Sequence, residues 1–198
     1  MSWISGNRYL SSIEQYNNVV ELWEYMGARR YTRQAVAALA ANMEAESTIN
    51  PGIWENLTPT TTPDVSVGYG LCQWTPWNKY ADWAGAGWQD NGNKQCDRIV
   101  YEANNGIQWF ENPLAPDIGL PYYPPITFAQ FLHSTSAPED LASMFLAYYE
   151  HPGNLSTNQQ RRDNATRWYG FIQTLPAPTP VSRGKMPLWM MCKPYWKR

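Results

Sequence analysis

Cysteine is scarce in this chain, histidine is scarcer, and long apolar runs are missing altogether. The three cysteines, Cys72, Cys96 and Cys192, stand at wide and irregular intervals, an odd number that does not read as a disulfide framework. With only His133 and His151 and no paired cysteines there is no spaced ligand set for zinc, so neither a metal nor a cofactor is expected. No stretch approaches the roughly 20 apolar residues that span a bilayer. The N-terminus, Met1-Ser2-Trp3-Ile4, lacks the positive-then-apolar pattern of a secretory signal, so synthesis in a cytoplasm without its own export signal is the expectation. Charge is thin as well. The formal net charge of -2 argues against a nucleic-acid binder, whose phosphate contacts need clustered Lys and Arg.

What the chain does have is aromatic surface with polar edges: 11 Trp and 13 Tyr against 5 Phe. Such rings suit sugar clefts, where a flat apolar face meets a sugar while the N–H or O–H stays wet, although any single Trp is more often core. A length of 198 residues fits one compact domain, placed at 1–175. Beyond it, at 176–198, Pro176-Ala177-Pro178-Thr179-Pro180 reads as an extended spacer. Arg183, Lys185, Lys193, Lys197 and Arg198 then form a basic aromatic tail that suits an anionic surface.

Periodicity gives a mostly helical order. A helix over 11–27 carries Ile13, Tyr16, Val20 and Trp23 after the capping serines Ser11 and Ser12, and Gly27 stops it. Thr32 caps a second helix with the stripe Val36, Leu39, Ala40 and Met43, ended by Pro51-Gly52. A Thr- and Pro-rich loop over 57–65 leads into a short, Gly-punctuated, β-prone stretch over 65–74, read as a small hairpin. Helical patterns return at 79–84, 94–104 and 128–133, then from Pro138 with Leu141, Phe145 and Tyr148, and last over 164–175 with Trp168, Tyr169 and Ile172.

A carboxylic acid that protonates a leaving oxygen near neutral pH needs a partly desolvated place, and the end of the second helix offers one at Asn42-Met43-Glu44-Ala45-Glu46-Ser47. At about 100° per residue, Glu46 lies about 60° from Met43 at the edge of the apolar stripe, whereas Glu44 lies further toward solvent. Glu46 is therefore the better candidate for an acid, and both remain open to a plainer reading as solvated helix-end charges.

The run NMEAESTINPGIW over 42–54, GYGLCQWTP over 68–76 and FLAYYEHPG over 145–153 together resemble the phage tail lysozyme family and, more loosely, lytic transglycosylases. The resemblance covers roughly 8–175. It implies an α+β, predominantly helical, lysozyme-like fold with a small β-hairpin beside the active-site cleft. It also implies cleavage of the glycan backbone of bacterial peptidoglycan, with Glu46 in the place of the catalytic glutamate. Gly68, Tyr69, Gly70, Gln73 and Trp74 match the hairpin lining the sugar cleft, which agrees with a close backbone approach at the glycines and a stacking face on Trp74. His151 stands where the family usually has Arg. Glu150 reads as a hydrogen-bonding carboxyl toward the substrate side and not as a catalyst.

A second catalytic carboxylate is expected at Asp64, with Glu55 as a weaker rival. Whether water or a sugar hydroxyl attacks stays open, so hydrolase and lytic transglycosylase are both carried. Action at the wall, from a virion tail with its proteins as partners or after release at lysis, is implied as well. Two rivals come from other classes. A cysteine peptidase would use Cys72 with a histidine, but Cys72 between Leu71 and Gln73 reads as a buried, inert thiol. A non-catalytic wall-binding or virion structural module would use the aromatics and the tail alone.

Overall fold

The computed structural model describes residues 2–120 and 126–181, and within them the chain is helical. The basic tail and Cys192 lie outside the described residues. Helix α1 spans Ser12–Gly27, α2 Arg33–Ser47, α3 Asn78–Ala84, α4 Gly92–Asn104, α5 Phe128–Leu132, α6 Pro138–Phe145 and α7 Asn158–Thr174. None is long and apolar enough to cross a membrane.

The caps read from the sequence are in place. The Glu14 carboxylate accepts from the backbone N–H of Ser11 at 2.9 Å, and Thr32 Oγ1 accepts from Ala35 N at 3.2 Å, so the first orphan donors of α1 and α2 are satisfied. Between them α2 becomes the centre of the molecule. Every residue from Ala35 to Met43 is buried, not just the expected stripe, because alanines at 35, 37, 38, 40 and 41 are small enough to let α1, α6 and α7 close in around it.

Two elements differ from expectation. The hairpin over 65–74 is reduced to isolated bridges, Trp54 to Tyr69 and Tyr69 to Trp74, and no extended strand occurs among the described residues. The reason is visible in the burial, since Tyr69, Gly70, Leu71 and Cys72 are buried consecutively instead of alternately. Their backbone is satisfied by a side chain: Gln95 Oε1 accepts from Leu71 N at 2.8 Å while Gln95 Nε2 donates to Pro51 O at 2.7 Å. A Cβ at Gly70, whose φ is +77°, would stand 2.5 Å from that same Gln95 amide, so glycine is required here for packing against α4.

The last helix starts at Asn158, a turn and a half before 164. Its first turns, Asn158 to Asp163, are polar and bury only Arg161, so no apolar period announced them.

After α6 the chain continues through one wide π-helical turn, Leu146–Glu150, closed by His151 N donating to Leu146 O at 3.1 Å. His151 then takes a left-handed conformation, φ +50°, and stacks on Phe110. Pro176 to Pro180 lies against the end of α1. Trp23 Nε1 donates to Pro176 O at 2.9 Å, and Val181 N donates to Ala28 O at 2.9 Å. Most of the tryptophans serve the core: Trp54, Trp77 and Trp88 pack with Tyr69 and Tyr80 in one cluster that braces the 68–77 segment.

Candidate active site

The end of α2 is fixed from two sides. Ser47 Oγ donates to Met43 O within the helix and sits 3.1 Å from Leu71 O, while Thr48 and Ile49 both turn left-handed and end the helix. This ties the last turn of α2, with Glu46 on it, to the buried 69–74 segment. Between them and the π-turn opens a cavity of about 650 Å³, whose walls carry Glu46, Glu55, Gln73, Trp74, Glu102 and Glu150. A cavity of this size with several polar groups converging on it is the usual form of a small-ligand or substrate site.

Glu46 does not stand among apolar groups. Its Oε1 accepts from the Arg161 guanidinium at 2.5 Å, and its side chain is 24% exposed against 6% for Arg161. Arg161 is held in turn by Asn42 Oδ1 at 2.9 Å and by Thr157 Oγ1 at 3.2 Å, and Asn42 is anchored to Ala38 O and Ala142 O. The polar start of α7 thus delivers one buried cation to the end of α2.

Glu44, expected nearer solvent, is not so. Its side chain is 19% exposed, and its carboxylate receives Arg167 at 2.6 Å and Trp168 Nε1 at 2.8 Å. Both glutamates are half-buried because α7 covers this edge of α2. What separates them is the surface they meet, the cavity for Glu46 and the α7 side chains for Glu44.

Glu150, at the end of the π-turn, lines the cavity and faces a different environment. Its carboxyl accepts from Cys72, yet Oε1 is buried with no hydrogen-bond partner. Burial, and after it the neighbouring Glu46 carboxylate, push its carboxyl well above the usual carboxylate range, against the pull of Arg161. Glu102, 4% exposed, is by contrast saturated: it accepts from Trp74 Nε1 at 2.9 Å and Tyr149 Oη at 2.5 Å and pairs with Arg98 at 2.6 Å. This knot fixes two walls of the cavity, one from the 69–74 segment and one from the π-turn.

The remaining sequence candidates fall on both sides of the cavity wall. Gln73 lines it, with φ +48° and Nε2 donating to Gly70 O at 2.9 Å. Trp74 lines it too, but is 6% exposed and stacked on Tyr80 at 5.0 Å, so the sugar-stacking face expected of it is taken on that side. Tyr69 is buried, its hydroxyl accepting from Asp90 N at 2.9 Å, and together with Gly70 it supports the wall from behind.

Asp64 is exposed on the surface loop, bonded to Asn78 at 3.1 Å, and is not among the residues lining the cavity. Glu55 does line it, with Oε2 accepting from Gly68 N at 2.8 Å. The Thr- and Pro-rich loop carries Asp64 outward, whereas Glu55 is drawn in by the Trp54 to Tyr69 bridge. Cys72 is buried and its thiol is pushed up by burial and then by Glu150, as suits an inert thiol.

Arg161 and Glu102 escaped the sequence reading. Arg161 sits in a polar run with no period to mark it, while Glu102 had one usable signal, its i,i+4 spacing from Arg98.

Residues 17–172 match the family described as phage tail lysozyme. A curated relative, Morphogenesis protein 1 of Bacillus phage B103, is 36% identical over 186 residues, covering 93% of this chain and 47% of the relative. The chain therefore spans about half the length of the curated relative it matches.

Proposed function

The chain belongs to the phage tail lysozyme family, as its three ordered motifs implied, and on that footing we propose that it cleaves the MurNAc–GlcNAc backbone of bacterial peptidoglycan with Glu46 as general acid. The observation that carries this reading is the 650 Å³ cavity at the end of α2, with Glu46 on its wall and Gln73, Glu55 and Lys79 around it. Glycan cleavage asks for a carboxyl beside the leaving oxygen and room for a sugar on either side.

In the ligand-free arrangement the Arg161 guanidinium is paired with Glu46. Sugar binding expels water from the cavity and offers hydroxyls and acetamido oxygens to the guanidinium, so that Arg161, kept in its place, shares its donors with the glycan while Glu46 takes up a proton and delivers it to the leaving oxygen. Glu55 is the acidic residue placed to orient an attacking water, and Asp64 would need its loop to turn inward to do the same.

A family described by the tail and a relative named for morphogenesis favour a virion-borne enzyme that opens the wall during infection, with neighbouring tail proteins as partners, over one released at lysis. Purified protein should clear a suspension of bacterial walls. Glu46→Gln should abolish clearing while wall pull-down persists. Mass spectrometry of the products then separates the chemistries: a reducing end means hydrolysis and an anhydro end transglycosylation. Free peptides from uncut glycans, or binding without clearing, would refute the proposal.

A further inference from the structure

Glu150 is a partly buried titratable group on the cavity wall, with its Oε1 buried, that the proposed chemistry leaves unused. Its Oε1 has no partner, its other contact is a thiol, and the carboxyls facing it, Glu46 from α2 and Glu102 from α4, are both engaged in ion pairs. The cation in reach, Arg161 from α7, is already closed on Glu46 and Asn42. A carboxylate here would be a charge with a dry, unpartnered oxygen beside other anions, an arrangement that proteins avoid by keeping the proton.

We propose that Glu150 is a positioning residue that works as an uncharged carboxylic acid, so that Arg161 stays committed to Glu46 and is not divided between two carboxylates. Ionisation of Glu150 would set two carboxylates in competition for one guanidinium and draw Arg161 off its place, which shuts the site on the alkaline side. Its elevated proton affinity agrees with this geometry. The inference rests on the glycan-cleaving reading for its effect on activity, but the protonation state is testable without it.

The amide of Glu150→Gln copies the neutral acid. At neutral pH this variant should clear walls within about threefold of the parent, and its alkaline limb should extend to higher pH than the parent's. Infrared spectroscopy of the parent at neutral pH should show a protonated carboxyl band that Glu150→Gln lacks. Two results overturn the proposal. One is a folded, wall-binding Glu150→Gln as inactive as Glu46→Gln, which would make Glu150 a second catalytic carboxylate. The other is the absence of that band in the parent, a result that stands even if the variant fails to fold. A parent that shows the band and cleaves no glycan would remove the glycosidase reading and leave the protonation state in place.

Discussion

Replacing Glu102 by Gln leaves the volume of the buried knot almost unchanged and removes its charge. Arg98, with a side chain 9% exposed and its Nε already without a partner, then keeps a positive charge in the interior with nothing to pair it. Breaking one side of a buried ion pair costs roughly 3–5 kcal/mol. The rings of Trp83 and Tyr101, at 5.3 and 5.5 Å from the guanidinium, stay beside it in both proteins and so leave that difference unchanged. The Trp74 N–H and the Tyr149 O–H both meet Oε2, so the amide oxygen can keep both bonds and the loss falls on Arg98, which paired with Oε1.

The net loss should be about 3–5 kcal/mol, read as a lower denaturation midpoint in urea at unchanged slope. For a chain of this size that is a fall in Tm of roughly 6–20 °C. Adding Arg98→Met should recover most of the loss, since removing both members of a buried pair is often close to neutral. A single variant that loses less than about 1 kcal/mol, or a double variant as unstable as the sum of the singles, would refute the reasoning.

Arg161→Met removes the guanidinium that fixes Glu46 and Asn42 at the cavity wall, so wall clearing should fall by about tenfold or more; a clearing assay on the folded variant checks this, and parent-like clearing would mean that Arg161 does not position the acid. At the surface, the Arg8 guanidinium first, and then the backbone and hydroxyl of Ser11, hold the Glu14 carboxyl down at about 2 from its usual 4.5. A depressed carboxyl contributes stability above its unfolded value and loses it as the folded value is approached, so the Tm gap between the parent and Glu14→Gln should close as pH falls from 4.5 toward 2. A gap that stays constant through that window would reject the assignment.

Local chemistry was legible in the chain itself. Ser11 and Thr32 announced two helix starts, the apolar period announced most of the helices, and a thiol between Leu71 and Gln73 announced its own burial, because each of these depends on neighbours within a few residues. The helix period put Glu46 at the edge of the apolar stripe, and its place beside a cleft was implied by the resemblance that the three motifs carry. The hairpin was over-read because strand pairing and side-chain satisfaction of the same backbone groups give the same short glycine-punctuated run, and Gln95 stands 24 residues from Leu71.

Only the tertiary structure decided the electrical state of the site. The guanidinium that meets Glu46 comes from 115 residues away, on a polar turn with no period to mark it, and it reversed the expectation of an acid among apolar neighbours. The same packing buried the Oε1 of Glu150, turned Asp64 outward and divided Glu44 from Glu46 by partner instead of by exposure. Periodicity tells which side of a helix goes inward, whereas the charge state of a group depends on which other charges and how little water the fold brings within a few ångströms of it.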